Sequence, residues 1–292
     1  MHRTRLTLRI NATSCALFGA ILAVWPVEVS KLLGQMPSLI LTVLGFALIV
    51  HAGHLLFASF KKVISKLEVY YFSMCDQAWF LASLALLVIT DWISTPTGIG
   101  VTIAVAIMVS AIGLAQLWTY AEATNAGVPS GSETYAAMDR LLMPANLSRL
   151  KSIGVSWLDM KMWVKIWLFF LNGVFLAAFL YIPSELARVT LVAYVACLPL
   201  MLSFMIVQRG LTRLLSLGHL IPWTPLLVYV FLRLFTDSAG SQIGAQTSPE
   251  IFVFSIVLFI CVAICLVFDF YDLVRWILGH RGRLGSPSEL RV

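Results

Sequence analysis

The sequence predicts an all-α fold: a polytopic transmembrane helical bundle of eight spans arranged as two four-helix halves. Three observations predict it. The 292 residues are 60% hydrophobic and only 12% charged, with a mean hydropathy of +0.92, whereas a soluble domain carries about 25% charged residues. The apolar residues come in runs of about 20, the length a helix needs to cross ~30 Å of hydrocarbon. The charges collect between those runs. A β-barrel is excluded, since its strands would read as alternating segments of ~10 residues.

The first span, 11–30, follows Arg3, Arg5 and Arg9 and runs into Trp25-Pro26-Val27-Glu28. No small-residue cleavage site follows its apolar core, so it reads as an uncleaved span rather than a signal peptide. The second, 37–59, stops before Lys61, Lys62 and Lys66; the third is 70–90 and the fourth 98–120. A polar segment, 122–161, comes next. Gly127, Pro129, Ser130, Gly131 and Ser132 give it a linker composition. "SETYAAMDRLLM", from Ser132, has a capping serine and helical spacing, which predicts a short helix on the membrane surface. The remaining spans are 162–182, 187–208, 213–235 and 250–276, and Pro199 is expected to kink the sixth. Residues 222–235 are too few to cross alone, so the seventh is expected to begin near Arg213 and break around Gly218–Pro222.

The chain thus divides into a first bundle (1–121), a linker (122–161), a second bundle (162–276) and a tail (277–292). Each half holds an even number of spans, so both enter the membrane with the same polarity. "LAVWPVE" and "FLYIPSE" end the first span of each half alike. A parallel repeat and a fusion of two unrelated units both fit.

Of the 20 lysines and arginines, all but Lys31, Arg188 and Arg233 fall on one side of this topology. Basic residues are retained in the cytoplasm, which predicts a multi-pass inner-membrane protein with both termini cytoplasmic. The net charge of +6 is spread over several loops. It is an orientation signal and not a nucleic-acid footprint. The Asn146-Leu147-Ser148 sequon lies on the cytoplasmic side and is discounted. All five cysteines (15, 75, 197, 261 and 265) fall inside spans without a C-x-x-C spacing, so neither a disulfide framework nor a metal site is expected.

An ionisable group inside a span costs roughly 2.5–3.5 kcal/mol or more unless it is paired or hydrated. In the first half, His51 and His54 share one face of the second span with Ala47 and Ala58. Asp76 lies with Ser73 and Ser83 on the third span, and Gln116 with Gly113 on the fourth. At a rise of ~1.5 Å per residue, His54, Asp76 and Gln116 lie at matching depth. This predicts one polar layer, with His54 paired to Asp76, serving either as a structural clasp or as a proton or solute path. In the second half, Asp269 and Asp272 occupy the last two turns of the final span, in a stripe with Cys265 and Trp276. Arg209, Arg213 and His219 lie at the same level, which predicts that these cations pair with the two aspartates while Arg275 snorkels to lipid phosphates. Asn172, mid-membrane, is expected to bond to a neighbouring helix.

"LRINATSCALFGAILAVWP", "LLG" and "DQAWFLASLALLVI" resemble a widespread set of small four-span bacterial membrane proteins. "TRLLSLGHLIPWTPLLVYVFLRL" and "AICLVFDFYDLVRWILG" resemble another such set; Arg213, Gly218, His219, Asp269, Asp272 and Arg275 sit in that pattern. Both families are uncharacterised, so the resemblance implies an architecture and a bacterial inner membrane, not an activity.

Three function classes compete. One is a non-enzymatic accessory, assembly or lipid-contacting subunit, with membrane lipids and a membrane-protein partner or a second copy as its neighbours. The second is a proton-coupled or small-solute transporter using the embedded His and Asp groups. The third is an intramembrane enzyme or redox protein, but H-E-x-x-H, G-x-S-x-G and phosphate-loop patterns are absent. Haem would need a ligand from a second helix, because His51 and His54 cannot sit on opposite sides of one iron. The reading favours the first class, with no cofactor and no nucleic acid.

Overall fold

The computed structural model of the chain describes residues 1–124 and 149–284. Among them, eight helices are long and apolar enough to cross a membrane, and no strand of a sheet is present. The chain divides into two compact units, Met1–Ala126 and Gly127–Val292.

The first unit holds α1 (His2–Val24), a short α2 (Pro26–Leu33), α3 (Ser38–Phe60), α4 (Lys66–Ile89) and α5 (Pro96–Thr124). Helix α1 starts well before the apolar run and ends earlier than the expected residue 30. Its early start has a polar cause: Arg5 donates to Lys61 O (2.7 Å) and Lys62 O (3.0 Å) at the C-terminal end of α3, where a cation complements the helix dipole. Its end is set by Pro26, which forces Trp25 out of the helical region (φ −121°, ψ 49°). Helix α4 begins earlier than expected because Ser65 and Glu68 form a reciprocal capping box.

Helices α1 and α3 touch along glycine. A Cβ on Gly45 would lie 2.7 Å from both Ala23 N and Gly19 O, and one on Gly19 would lie 2.8 Å from Gly45 O. Such close backbone approach is how helices gain dispersion contact in lipid, where no hydrophobic drive pulls them together.

The second unit holds α6 (Arg149–Asp159), α7 (Met162–Ala177) with a 3₁₀ extension (Ala178–Tyr181), α8 (Glu185–Gln208), a 3₁₀ turn (Arg213–Leu215), α9 (Ser216–Phe235) and α10 (Pro249–Ile277). Its core is built from Phe175, Leu186, Trp223, Leu226 and Leu258. The surface helix expected from Ser132 lies outside the described residues, and α6 is a helix that the sequence reading did not place. The expected break in the seventh span does not occur. Helix α9 passes unbroken through Pro222 and Pro225, because packing against α8 and α10 outweighs the loss of two backbone donors. Helix α8 likewise contains Pro199. Beyond α10 the chain turns back: Arg283 forms a bridge with Thr212, and Leu284 N donates to Leu211 O (2.8 Å).

Candidate functional site

Among the described residues, one cluster of polar side chains set between apolar helices is the focus in each unit. In the first, Asp76 is almost fully buried (3% exposed). Its Oδ2 accepts from Asn11 Nδ2 of α1 (2.9 Å) and Gln116 Nε2 of α5 (3.2 Å). Cys15 Sγ donates to Asn11 Oδ1 (3.5 Å). At the next residue of α4, Gln77 bonds to α5: Ser110 Oγ donates to Gln77 Oε1 (2.7 Å) and Gln77 Nε2 to Ser110 O (3.2 Å). Gly113 makes room for this knot, since a Cβ there would lie 2.8 Å from the Asp76 Cβ.

The expected pairing of His54 with Asp76 is not formed. His54 is exposed and meets Phe72 edge-on at 4.8 Å and Tyr71 at 5.7 Å. His51 is half-buried beside the same rings, and its buried Nε2 has no hydrogen-bond partner. The histidine face of α3 therefore turns away from the carboxylate. Asn11 takes the role assigned to His54, and its signal was a lone amide one helical turn before Cys15.

In the second unit, a groove of about 960 Å³ opens between α6, α7, α9 and α10. Its walls include Trp163, Ile166, Phe170 and Phe268, all more than half exposed. The floor is polar. Arg213 pairs with Asp272, and His219 Nδ1 lies 3.2 Å from Asp269 Oδ2. Cys265 Sγ donates to the same Oδ2 (3.4 Å). Lys161 and Arg275 complete the charged lining. Arg275 contacts Tyr271 Oη (3.4 Å) and lies 5.9 Å over that ring. Arg209 ends α8 with a left-handed backbone (φ 55°) and does not line the groove.

The floor is held by a column of rings. Tyr194 stacks on Phe175 (5.0 Å), Phe175 on Trp223 (4.6 Å), and Trp223 on His219 (4.3 Å, 10° between planes). Trp223 Nε1 donates to Ala193 O (3.2 Å), and Tyr194 Oη donates to Asn172 Oδ1, the interhelical bond expected of Asn172. Sequence spacing supplied Asp269, Asp272, Arg213, His219 and Arg275, and put Cys265 on the stripe of the two aspartates. It did not supply Lys161 or the ring column, and it assigned Arg209 to a floor that Arg209 does not line.

Eight apolar helices and two embedded polar clusters make this a multi-pass helical membrane protein. No known family, characterised protein or solved structure matches the chain.

Proposed function

We propose that the protein is a non-enzymatic accessory subunit of a bacterial inner membrane, with both ends cytoplasmic, that holds a phospholipid of the surrounding bilayer in the groove of its second unit. The supporting observation is the groove's polarity. Its apolar walls suit an acyl chain, while Lys161, Arg213 and Arg275 outnumber Asp269 and Asp272 on the polar lining. A phosphoryl headgroup is the matching ligand. In this reading the Asp76 knot is a structural clasp that fixes which faces of α1, α4 and α5 meet.

Native mass spectrometry of the full chain tests the proposal. Phospholipid adducts should survive gentle detergent extraction. Ile264→Trp, which adds bulk at an apolar residue lining the groove, should remove them. A lipid-free wild type, or adducts unchanged by the plug, would overturn the reading.

A further inference from the structure

The groove floor also carries an arrangement that lipid binding does not require. His219, Cys265 and Asp269 present an imidazole nitrogen, a thiol sulfur and a carboxylate oxygen, all within 4.8 Å of one another. Cys265 and Asp269 are one helical turn apart on α10 and share a face; His219 reaches them from α9. The Asp269 Oδ2 is 3.2 Å from His219 Nδ1 and 3.4 Å from Cys265 Sγ. A tetrahedral zinc ion, with Zn–S near ~2.3 Å and Zn–N or Zn–O near ~2.0–2.1 Å, places nitrogen and oxygen ligands about 3.3–3.4 Å apart and sulfur about 3.5–3.6 Å from them. The two measured edges, 3.2 and 3.4 Å, each come within about 0.2 Å of those lengths.

We propose that His219, Cys265 and Asp269 form a three-ligand site for a zinc-like divalent cation, with its fourth position facing the groove. Sulfur, nitrogen and oxygen donors together suit a borderline ion better than magnesium or calcium. On binding, the Cys265 thiol gives its proton to solvent. The thiolate and carboxylate then balance the dication, so the filled site is neutral where the dielectric is low. Arg213 engages the neighbouring Asp272, so the cluster does not have to displace that pair. The ring column fixes the imidazole plane in advance, and the groove provides entry. Sequence depth brings these three residues to one level, and the fold adds that their ligand atoms converge.

Cobalt(II) is the probe. The full chain, purified without metal and titrated in detergent, should take up one Co²⁺ and develop a sulfur-to-cobalt charge-transfer band in the near ultraviolet. Cys265→Ser should abolish the band, and Cys261→Ser, one turn away, should keep it. His219→Gln should weaken uptake by more than the roughly 10–100-fold that loss of an outer-shell partner costs. Should Cys265→Ser fail to elute as a monodisperse peak, Asp269→Asn, which keeps the thiol but removes the anionic oxygen ligand, should weaken uptake as His219→Gln does. No band in wild type, a band that persists in Cys265→Ser, or uptake unchanged in His219→Gln and Asp269→Asn, overturns the site. Lipid retention is measured separately on chelator-washed protein, so failure of one proposal is distinct from failure of the other.

Discussion

The glycine seam between α1 and α3 allows a paired test in which one substitution is made at two positions of the same helix. A methyl group on Gly45 would sit 2.7 Å from two backbone atoms of α1. Ordinary contact between non-bonded atoms begins near ~3.5 Å, so the helices must separate by somewhat under ~1 Å. Backbone atoms cannot rotate away, and the separation would also stretch the Arg5 bonds at the end of the seam. Overpacking of this kind costs about 1–3 kcal/mol. A Cβ on Gly53 meets no atom within 4 Å, so Gly53→Ala should stabilise α3 by about 0.5–1 kcal/mol through helix propensity alone. The two variants should therefore differ by about 1.5–4 kcal/mol. The buried Cys15 of α1 is a native reporter. Its thiol-labelling rate in mixed micelles of increasing denaturing strength, followed by peptide mass spectrometry, gives the stability of the seam. Gly45→Ala should label at lower denaturant than wild type, and Gly53→Ala at higher. Equal midpoints for the two variants would refute the close approach of α1 and α3.

Two further outcomes follow from the same geometry. Asp76→Asn keeps an oxygen that can accept from both Asn11 and Gln116, whereas Asp76→Leu strands two buried amide donors, each costing about 1–3 kcal/mol; thermal melting in detergent should rank Leu well below Asn, and equal melting would deny the clasp. Reporter tags at residues 1 and 292 should both be reached from the cytoplasmic side of intact cells by a protease or a membrane-impermeant label delivered there; tags on opposite faces would refute the proposed orientation.

The architecture was legible because membrane-spanning helices announce themselves by length and composition, and eight apolar runs became eight helices. The floor of the second unit was legible for a related reason. Asp269, Asp272, Arg213 and His219 are costly groups at a common depth, and cost forces such groups together. The first polar layer was read less well. Asp76 and Gln116 lie on facing helices as expected, but pairing Asp76 with His54 assumes that the histidine stripe of α3 turns inward, and Asn11 does not enter that reading. Small residues on both sides of α3 leave its rotation undetermined by pattern, and the close contact at Gly45 sets it instead. The predicted break at Gly218–Pro222 failed because it weighed the lost backbone bonds and not the packing around α9. The limits of α1 were misplaced because an arginine-rich turn reads as loop until its partner, the end of α3, is in view.

The ring column has a consequence for selectivity. Tyr194, Phe175, Trp223 and His219 form a stiff post tied at its far end to Asn172. An incoming guest cannot swing His219 aside without disturbing the whole post. The opposite side of the groove, with Trp163, Ile166 and Phe170 largely uncovered, has no such brace. One flank behaves as a fixed jaw and the other as a soft one. On the lipid-binding proposal, the pocket is expected to be strict about the chemistry of the end that meets the post and indifferent to the length and saturation of the chain behind it.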